Sequence, residues 1–341
     1  MDLYNVPIVS IACITYNQEN YIKYAIEGFL MQKTTFPIEI IINDDSSTDN
    51  TANIIRDYVD KYPNLIIPIF QKENQFSQGI NPGVEFVFPK CTGKYIAICE
   101  GDDYWTDPYK LQKQVDFLET NVDFAICSHR MQTLYEGDDN EPDLSVQNVQ
   151  KDISTIEDLA QGVIHIYTAS CVFRNGLIEK FPDWFYQTPA GDYSLHMLNA
   201  QYGKIKSLPD IMGVYRVHRA GLWSNNDTVN KNEMAAKVIY LMLNHFAAPV
   251  NTILLKRYRY QCVDLIRCFK NNEEKCKYYS LRLIETNPFF INEILDEYNQ
   301  TLKEILDSRS YKLGRRIVKP FRYLKKILFK PRLFKDYSKT I

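Results

Sequence analysis

A chain of 341 residues, 45% apolar and 24% charged, has room for one large domain with an accessory part, and its composition is that of a globular protein. No run of about 18 apolar residues occurs, which excludes a membrane-spanning helix, and no basic stretch leads into an apolar one, so no signal peptide is expected. The net charge of −2 conceals an asymmetry: from Arg309 to Ile341 twelve Lys or Arg stand against the single acid Asp336, and the rest of the chain is correspondingly acidic. The eight cysteines form no Cys-x-x-Cys pair, and several lie in apolar runs, so free thiols in a reducing compartment are expected.

In chain order, Ile8 to Ile14 is a continuous apolar run that predicts a buried strand ending in the polar Thr15-Tyr16-Asn17. Asn20 to Met31 carries Ile22, Ala25, Ile26, Phe29 and Leu30 at helical spacing. A second strand, Ile38 to Ile42, ends in Asn43-Asp44-Asp45, and a helix follows over Thr51 to Lys61. Leu65 to Phe70 is a third strand. Gln71 to Pro82 reads as a loop, Gly83 to Phe88 as a short helix, and Tyr95 to Cys99 as a strand. Pro108 to Asn121 predicts a helix with Leu111, Val115 and Leu118 inward, and Phe124 to Ser128 a strand. Glu136 to Asp152, acidic and aperiodic, reads as a mobile loop over a cleft. Ser154 to Glu157 has the form of a capping box. Ala169 to Phe173 is a strand, Gly191 to about Gln201 a helix, and Ile211 to Val217 a strand that ends in His218-Arg219. From about Val229 the pattern is helical: Val229–Phe246, Asn251–Lys270, Glu273–Glu285 and Phe289–Leu306.

Apolar strands alternating with helices predict an α/β fold, Rossmann-like, with a mostly parallel sheet flanked by helices and a C-terminal helical region. The expected divisions are 1–225, 226–308 and 309–341. Ligands of such sheets sit at the carboxyl ends of the strands. Three of those ends carry polar clusters here: Thr15-Tyr16-Asn17, Asp44-Asp45, and Glu100-Gly101-Asp102-Asp103. No Gly-x-Gly-x-x-Gly and no Gly-x-x-x-x-Gly-Lys-Ser/Thr is present, so the dinucleotide and P-loop readings lack a phosphate cradle. The clustered acids suit Mg2+ or Mn2+ with phosphate oxygens; Gly-Asp-Asp is equally good turn and cap chemistry. Trp105, Trp184 and Trp223 are candidates for stacking on sugar or for the core.

The segments Ile-Ala-Cys-Ile-Thr-Tyr-Asn-Gln-Glu-Asn-Tyr-Ile from Ile11, Glu39-Ile-Ile-Ile-Asn-Asp-Asp-Ser-Ser-Thr-Asp-Asn-Thr51 and Gly93-Lys-Tyr-Ile-Ala-Ile-Cys-Glu-Gly-Asp-Asp-Tyr-Trp105 resemble, in order and spacing, the family 2 glycosyltransferases. The resemblance covers roughly residues 5 to 220. It implies a GT-A fold and transfer of a sugar, with inversion, from a nucleotide-sugar, most simply a UDP-sugar. It implies that Asp44 and Asp45 hold uracil and ribose, and that Glu100-Gly101-Asp102 stands for the family's Asp-x-Asp element, with Glu100 a departure from it. On this basis Thr15, Tyr16, Asn17, Asp44, Asp45, Glu100, Gly101 and Asp103 are nucleotide-sugar-binding candidates. Asp102 and His218 are candidate ligands of Mn2+ or Mg2+, and Asp192 is the candidate catalytic base. Asp192 can equally cap its own helix, and His218 can be a solvated loop histidine. Tyr215 to His218 is similar to the family's segment that closes over the diphosphate. Many family members build bacterial surface polysaccharides on glycan or lipid-linked acceptors. A rival of another class is a non-catalytic nucleotide-sugar-binding or scaffold protein on the same fold.

The basic tail, if helical over Tyr311 to Phe329, places Leu313, Ile317, Phe321, Leu324 and Leu328 on one side and six Lys or Arg on the other, with Pro320 breaking it. That pattern suits an anionic membrane surface or a packed helix with a solvated face; nucleic acid fits an acidic body poorly. A cytoplasmic protein held at the inner face of the cell membrane is the expectation.

Overall fold

The computed structural model describes residues 6–136, 143–189, 191–219, 221 and 226–286. In chain order the elements are β1 (Val9–Thr15), α1 (Ile22–Leu30), β2 (Ile38–Asp44), α2 (Thr51–Lys61), β3 (Ile66–Phe70), β4 (Tyr95–Ile98), β5 (Tyr104–Trp105), α3 (Lys110–Thr120), β6 (Phe124–Tyr135), β7 (Asp143–Val146), β8 (Ile153–Ser154), α4 (Ile156–Gln161), β9 (Val172–Arg174), α5 (Gly191–Asn199), β10 (Lys204–Val217), α6 (Thr228–Met242), α7 (Ala248–Cys268) and α8 (Glu273–Thr286). The helix expected over Phe289–Leu306, the tail 309–341 and Trp223 lie outside the described residues.

One sheet runs in the order β3-β2-β1-β4-β9-β6-β10-β5, with β7 on β6 and β8 on β10. The first four strands are parallel, as their unbroken Ile/Val runs require: both faces are covered, so neither face can alternate. β9 enters antiparallel to β4 and β6, and β5 lies antiparallel on β10. α1 buries Ile22, Ala25, Ile26 and Phe29. It approaches β5 so closely that a Cβ on Gly28 would stand 3.0 Å from the Trp105 nitrogen. Trp105 is buried with its edge toward Phe29, and its indole N–H donates to the Ala169 carbonyl at 2.8 Å. Trp184 is buried against His245 and Phe246. Both described tryptophans therefore belong to the core.

Several boundaries differ from the sequence expectation. β6 continues to Tyr135 because its second half alternates buried and half-exposed residues, as a strand with one wet face does. β7 folds back on it, so part of 136–152 is strand rather than loop. β10 starts at Lys204; Pro209 hid the continuity, and the register shift between Leu208 and Ile211 absorbs it. The segment from Ala169 opens as a tight turn and becomes strand only at Val172. The capping box slides one residue, to Thr155 and Asp158. α3 also differs from its pattern: Lys110 is fully buried, 4.0 Å from the Trp105 ring, and donates to Gln114 Oε1 at 2.9 Å. Gln114 in turn donates to the carbonyls of Cys127 and Ser170.

The chain divides into two units. The first holds residues 1–226 and 241–253, and thus the whole sheet. Among the described residues the second holds 227–240 and 254–286. Within it Glu233 accepts hydrogen bonds from Lys275 and Tyr279, and Arg282 lies between the Tyr240 and Tyr278 rings. All eight cysteines are free, and seven are buried.

Candidate active site at the carboxyl ends of the strands

Parallel pairing brings the carboxyl ends of β1, β2 and β4 side by side, with Thr15 opposite Asp44. Hydrogen bonds then clasp the first two loops together. Asn17, in the left-handed region at φ 51°, donates its N–H to Ser47 Oγ at 2.8 Å and accepts from the Thr48 N–H at 2.7 Å. Glu19 and Asp49 make a second reciprocal pair through the Asn50 and Glu19 N–H groups. Thr15 is buried and donates to Gln18 Oε1 at 2.6 Å, while Tyr16 is exposed. Asp45 is buried, and both its oxygens are taken, by the N–H groups of Gln75 and Phe76 at 2.9 and 3.0 Å. Asp44 is different: Oδ2 accepts from the Ser47 N–H at 3.3 Å, the Ser47 side chain also bonds to the carboxyl, and Oδ1 has no partner among the described residues. Burial raises its carboxyl above the usual range.

The third cluster is split by its own turn. Gly101 packs directly on β1: a Cβ there would lie 2.5 Å from Gln18 Oε1 and 2.7 Å from Thr15 Oγ1, so only glycine fits. Asp103 is buried and accepts the Arg216 backbone N–H at 2.9 Å. Burial, then Asp102 and Glu100, hold its carboxyl well above the carboxylate range. Glu100 is exposed as a residue, while protein atoms enclose its carboxyl. That enclosure, followed by Asp102 and Asp192, pushes it up to about 8. Asp192 lies in the first turn of α5, and its field reaches Glu100 from there. Gly191 sits against Asn81, on the loop that follows β3.

Asp102 Oδ2 and His218 Nε2 are 3.0 Å apart. Among the described residues no group of three metal-ligating side chains surrounds one point. A carboxylate and an imidazole side by side are nonetheless a fitting half-set for Mn2+ or Mg2+, which commonly take one or two protein ligands and complete their shell with phosphate oxygens and water. Asp102 and His218 would hold the cation.

Tyr21 and Glu136, absent from the sequence candidates, bind this region together with Arg216, which lies in the Tyr215 to His218 segment. Tyr21 OH donates to Glu136 Oε2 at 2.7 Å, and Arg216 Nη1 donates to Glu136 Oε1 at 2.6 Å. Arg216 Nε donates to the Asp102 carbonyl at 2.9 Å. Burial alone would raise the Glu136 carboxyl; the bonds from Tyr21 and Arg216 outweigh it and hold it below the usual range. Glu136, expected in a mobile loop, is thus anchored. The signal for it was the end of β6, which the sequence pattern placed too early.

A mostly parallel sheet with acids gathered at its strand ends, and an aspartate-histidine pair beside them, defines a GT-A glycosyltransferase domain. The chain belongs to glycosyl transferase family 2, whose model matches residues 10–181. Among similar proteins, Rv1520 of Mycobacterium tuberculosis is 39% identical over 215 residues, 63% of this chain; the chain spans only 60% of that relative's length. The Escherichia coli WfaP, a UDP-Glc:alpha-D-GlcNAc-diphosphoundecaprenol beta-1,3-glucosyltransferase, is 38% identical over 122 residues, 36% of this chain and 45% of WfaP. Two solved structures share the fold at a TM-score of 0.55. Staphylococcus aureus TarS 1–349 with UDP-GlcNAc is 16% identical, covering 86% of this chain and 92% of its own. The Pyrobaculum calidifontis mannosyltransferase PcManGT with GDP-Man and Mn2+ is 15% identical, covering 96% and 89%.

Proposed function

We propose that this nucleotide-sugar-dependent glycosyltransferase is an inverting, metal-dependent enzyme that moves a sugar from a UDP-sugar to a hydroxyl of a glycan or lipid-linked glycan. What carries the reading is that the charges of both Asp102 and Asp192 act on Glu100, while Asp102 pairs with His218 at 3.0 Å. Inversion is a single in-line displacement at the anomeric carbon. Asp192 takes the proton from the acceptor oxygen as that oxygen attacks, and the C–O bond to the diphosphate breaks. A bound Mn2+ or Mg2+ supplies charge neutralisation for the departing diphosphate. Asp44, with its unpartnered oxygen, is the acceptor for the uridine. The likeness to WfaP supports a UDP donor and a lipid-linked acceptor. No helix among the described residues is long and apolar enough to cross a membrane; the basic tail is proposed to hold the enzyme at an anionic membrane face. A thermal-shift titration with UDP, with and without Mn2+, and a donor-turnover assay test the assignment. Asp192→Asn keeps UDP binding and loses turnover by about 10²- to 10⁴-fold, and Asp102→Ala abolishes the Mn2+-dependent part of UDP binding. Turnover near wild type in Asp192→Asn refutes the base.

A further inference from the structure

We infer that Glu136 is a positioning residue: acting through Tyr21 and Arg216, it sets the geometry in which Asp102 and His218 receive a divalent cation together with a nucleoside diphosphate. This rests on the cation reading of that pair given above. The pairing of β6 with β10 puts Tyr135 opposite Val217, and the Glu136 N–H continues the ladder onto the Val217 carbonyl at 2.9 Å. Glu136 is therefore delivered, by strand register, beside Arg216 and His218.

Arg216 is 7% exposed and sits in a box of three tyrosine rings, Tyr21, Tyr104 and Tyr24, at 4.8, 5.2 and 5.5 Å. Glu136 supplies its ion-pair carboxylate at 2.6 Å. A guanidinium so enclosed and so committed is not a free phosphate clamp. Its work falls on the acidic loop: its side chain fixes the Asp102 carbonyl, and its backbone N–H fixes the Asp103 carboxyl. Tyr21 works on the other side of the pair. Its ring lies 4.7 Å from the His218 ring, and its hydroxyl donates to Glu136. The two oxygens of one carboxylate thus hold the two side chains that flank Asp102 and His218.

Without the Glu136 charge, the Arg216 cation is left in a largely dry box, where an unpaired charge is costly. Two carboxylates stand next along its existing contacts: that of Asp103, which already accepts its backbone N–H, and that of Asp102, whose carbonyl it already touches. In turning to Asp102, Arg216 would compete with the divalent cation for it. The consequence is selective: binding of the cation weakens, and the fold persists. Outer partners of metal ligands have this kind of influence, at about 10- to 100-fold in affinity.

The test is Mn2+ binding in the presence of UDP, followed by the spectroscopic signal of free Mn2+, with melting curves run in parallel. Glu136→Gln is expected to weaken Mn2+ binding by about 10- to 100-fold while it still melts cooperatively. Tyr21→Phe, which deletes one hydroxyl and serves if Glu136→Gln does not fold, shifts it less in the same direction. The double variant is no weaker than Glu136→Gln alone, because both act through one carboxylate. A purely structural role would lower the melting temperature and leave the Mn2+ affinity of the folded protein unchanged. If folded Glu136→Gln and Tyr21→Phe bind Mn2+ within about twofold of wild type while Asp102→Ala does not bind it, the positioning role is overturned and the cation site stands. If Asp102→Ala also binds normally, the cation site itself is refuted, and the role of Glu136 with it.

Discussion

The neighbouring acids at the end of β2 look interchangeable in the sequence, and the structure surrounds them differently. Asp45 holds the loop after β3 through two backbone N–H groups, at 2.9 and 3.0 Å, in a buried position. Asp45→Asn turns one acceptor into an NH2 that faces an N–H donor. A hydrogen bond to a charged group is worth about 1.5–3 kcal/mol, and the remaining bond loses its charge, so a loss of about 3 kcal/mol is expected in urea unfolding. Hydrogen exchange at Gln75 and Phe76 should accelerate as well. Asp44→Asn removes less, because one oxygen has no partner among the described residues and the rest of the carboxyl is bonded by Ser47 alone, whose N–H stands at 3.3 Å. Its burial already disfavours the charged form, so the neutral amide should alter stability by less than about 1 kcal/mol. UDP affinity, measured by calorimetry, should instead fall by about 10- to 100-fold, the equivalent of one charge-assisted hydrogen bond. If Asp45→Asn unfolds like wild type, or if Asp44→Asn binds UDP like wild type, the division of labour is wrong.

Two further outcomes are expected. Vesicles containing anionic lipid should co-sediment the full chain and not a chain ending at Ser308, with binding that weakens as salt rises; equal co-sedimentation of the two removes the tail as the anchor. Burial lowers the Lys110 ammonium from 10.5 to about 8, a penalty of about 3 kcal/mol. The penalty is fully present below about 8, where folded and unfolded chains are both charged. It is lost progressively as pH rises from about 8 to 10.5, and both states are neutral only above 10.5, so stability relative to Lys110→Met should climb across that window. Urea unfolding of both proteins from pH 7 to 10.5 checks this, and a pH-independent difference refutes the burial argument.

The parts of this molecule that were legible in its sequence are those held by one periodicity. Ile40, Ile41 and Ile42 can only be a strand covered on both faces, and such strands put their polar ends in one row. Lys110 was not legible. The helical pattern of Leu111, Val115 and Leu118 marks an inner face, but the turn of the helix carries Lys110 and Gln114 to that face too, and only the carbonyls of Cys127 and Ser170 explain why it tolerates them. The clasp of Tyr21, Glu136 and Arg216 was out of reach for a different reason. Its members are separated by 115 and 80 residues, and they meet only once the register of β6 on β10 is fixed.

The same limit governs the acidic loop. Glu100, Gly101, Asp102 and Asp103 could be read as a turn or as a ligand set, and the structure answers residue by residue. Gly101 is the turn, made obligatory by Thr15 and Gln18. Asp103 is the fastening, buried on the Arg216 backbone. Asp103 still keeps one oxygen without a hydrogen bond among the described residues, Glu100 is exposed, and Asp102 is paired with His218. A carboxylate can serve a substrate only where its neighbours have not already used it. In this site that follows from which oxygens the fold leaves unbonded, a property set by contacts far apart in the chain.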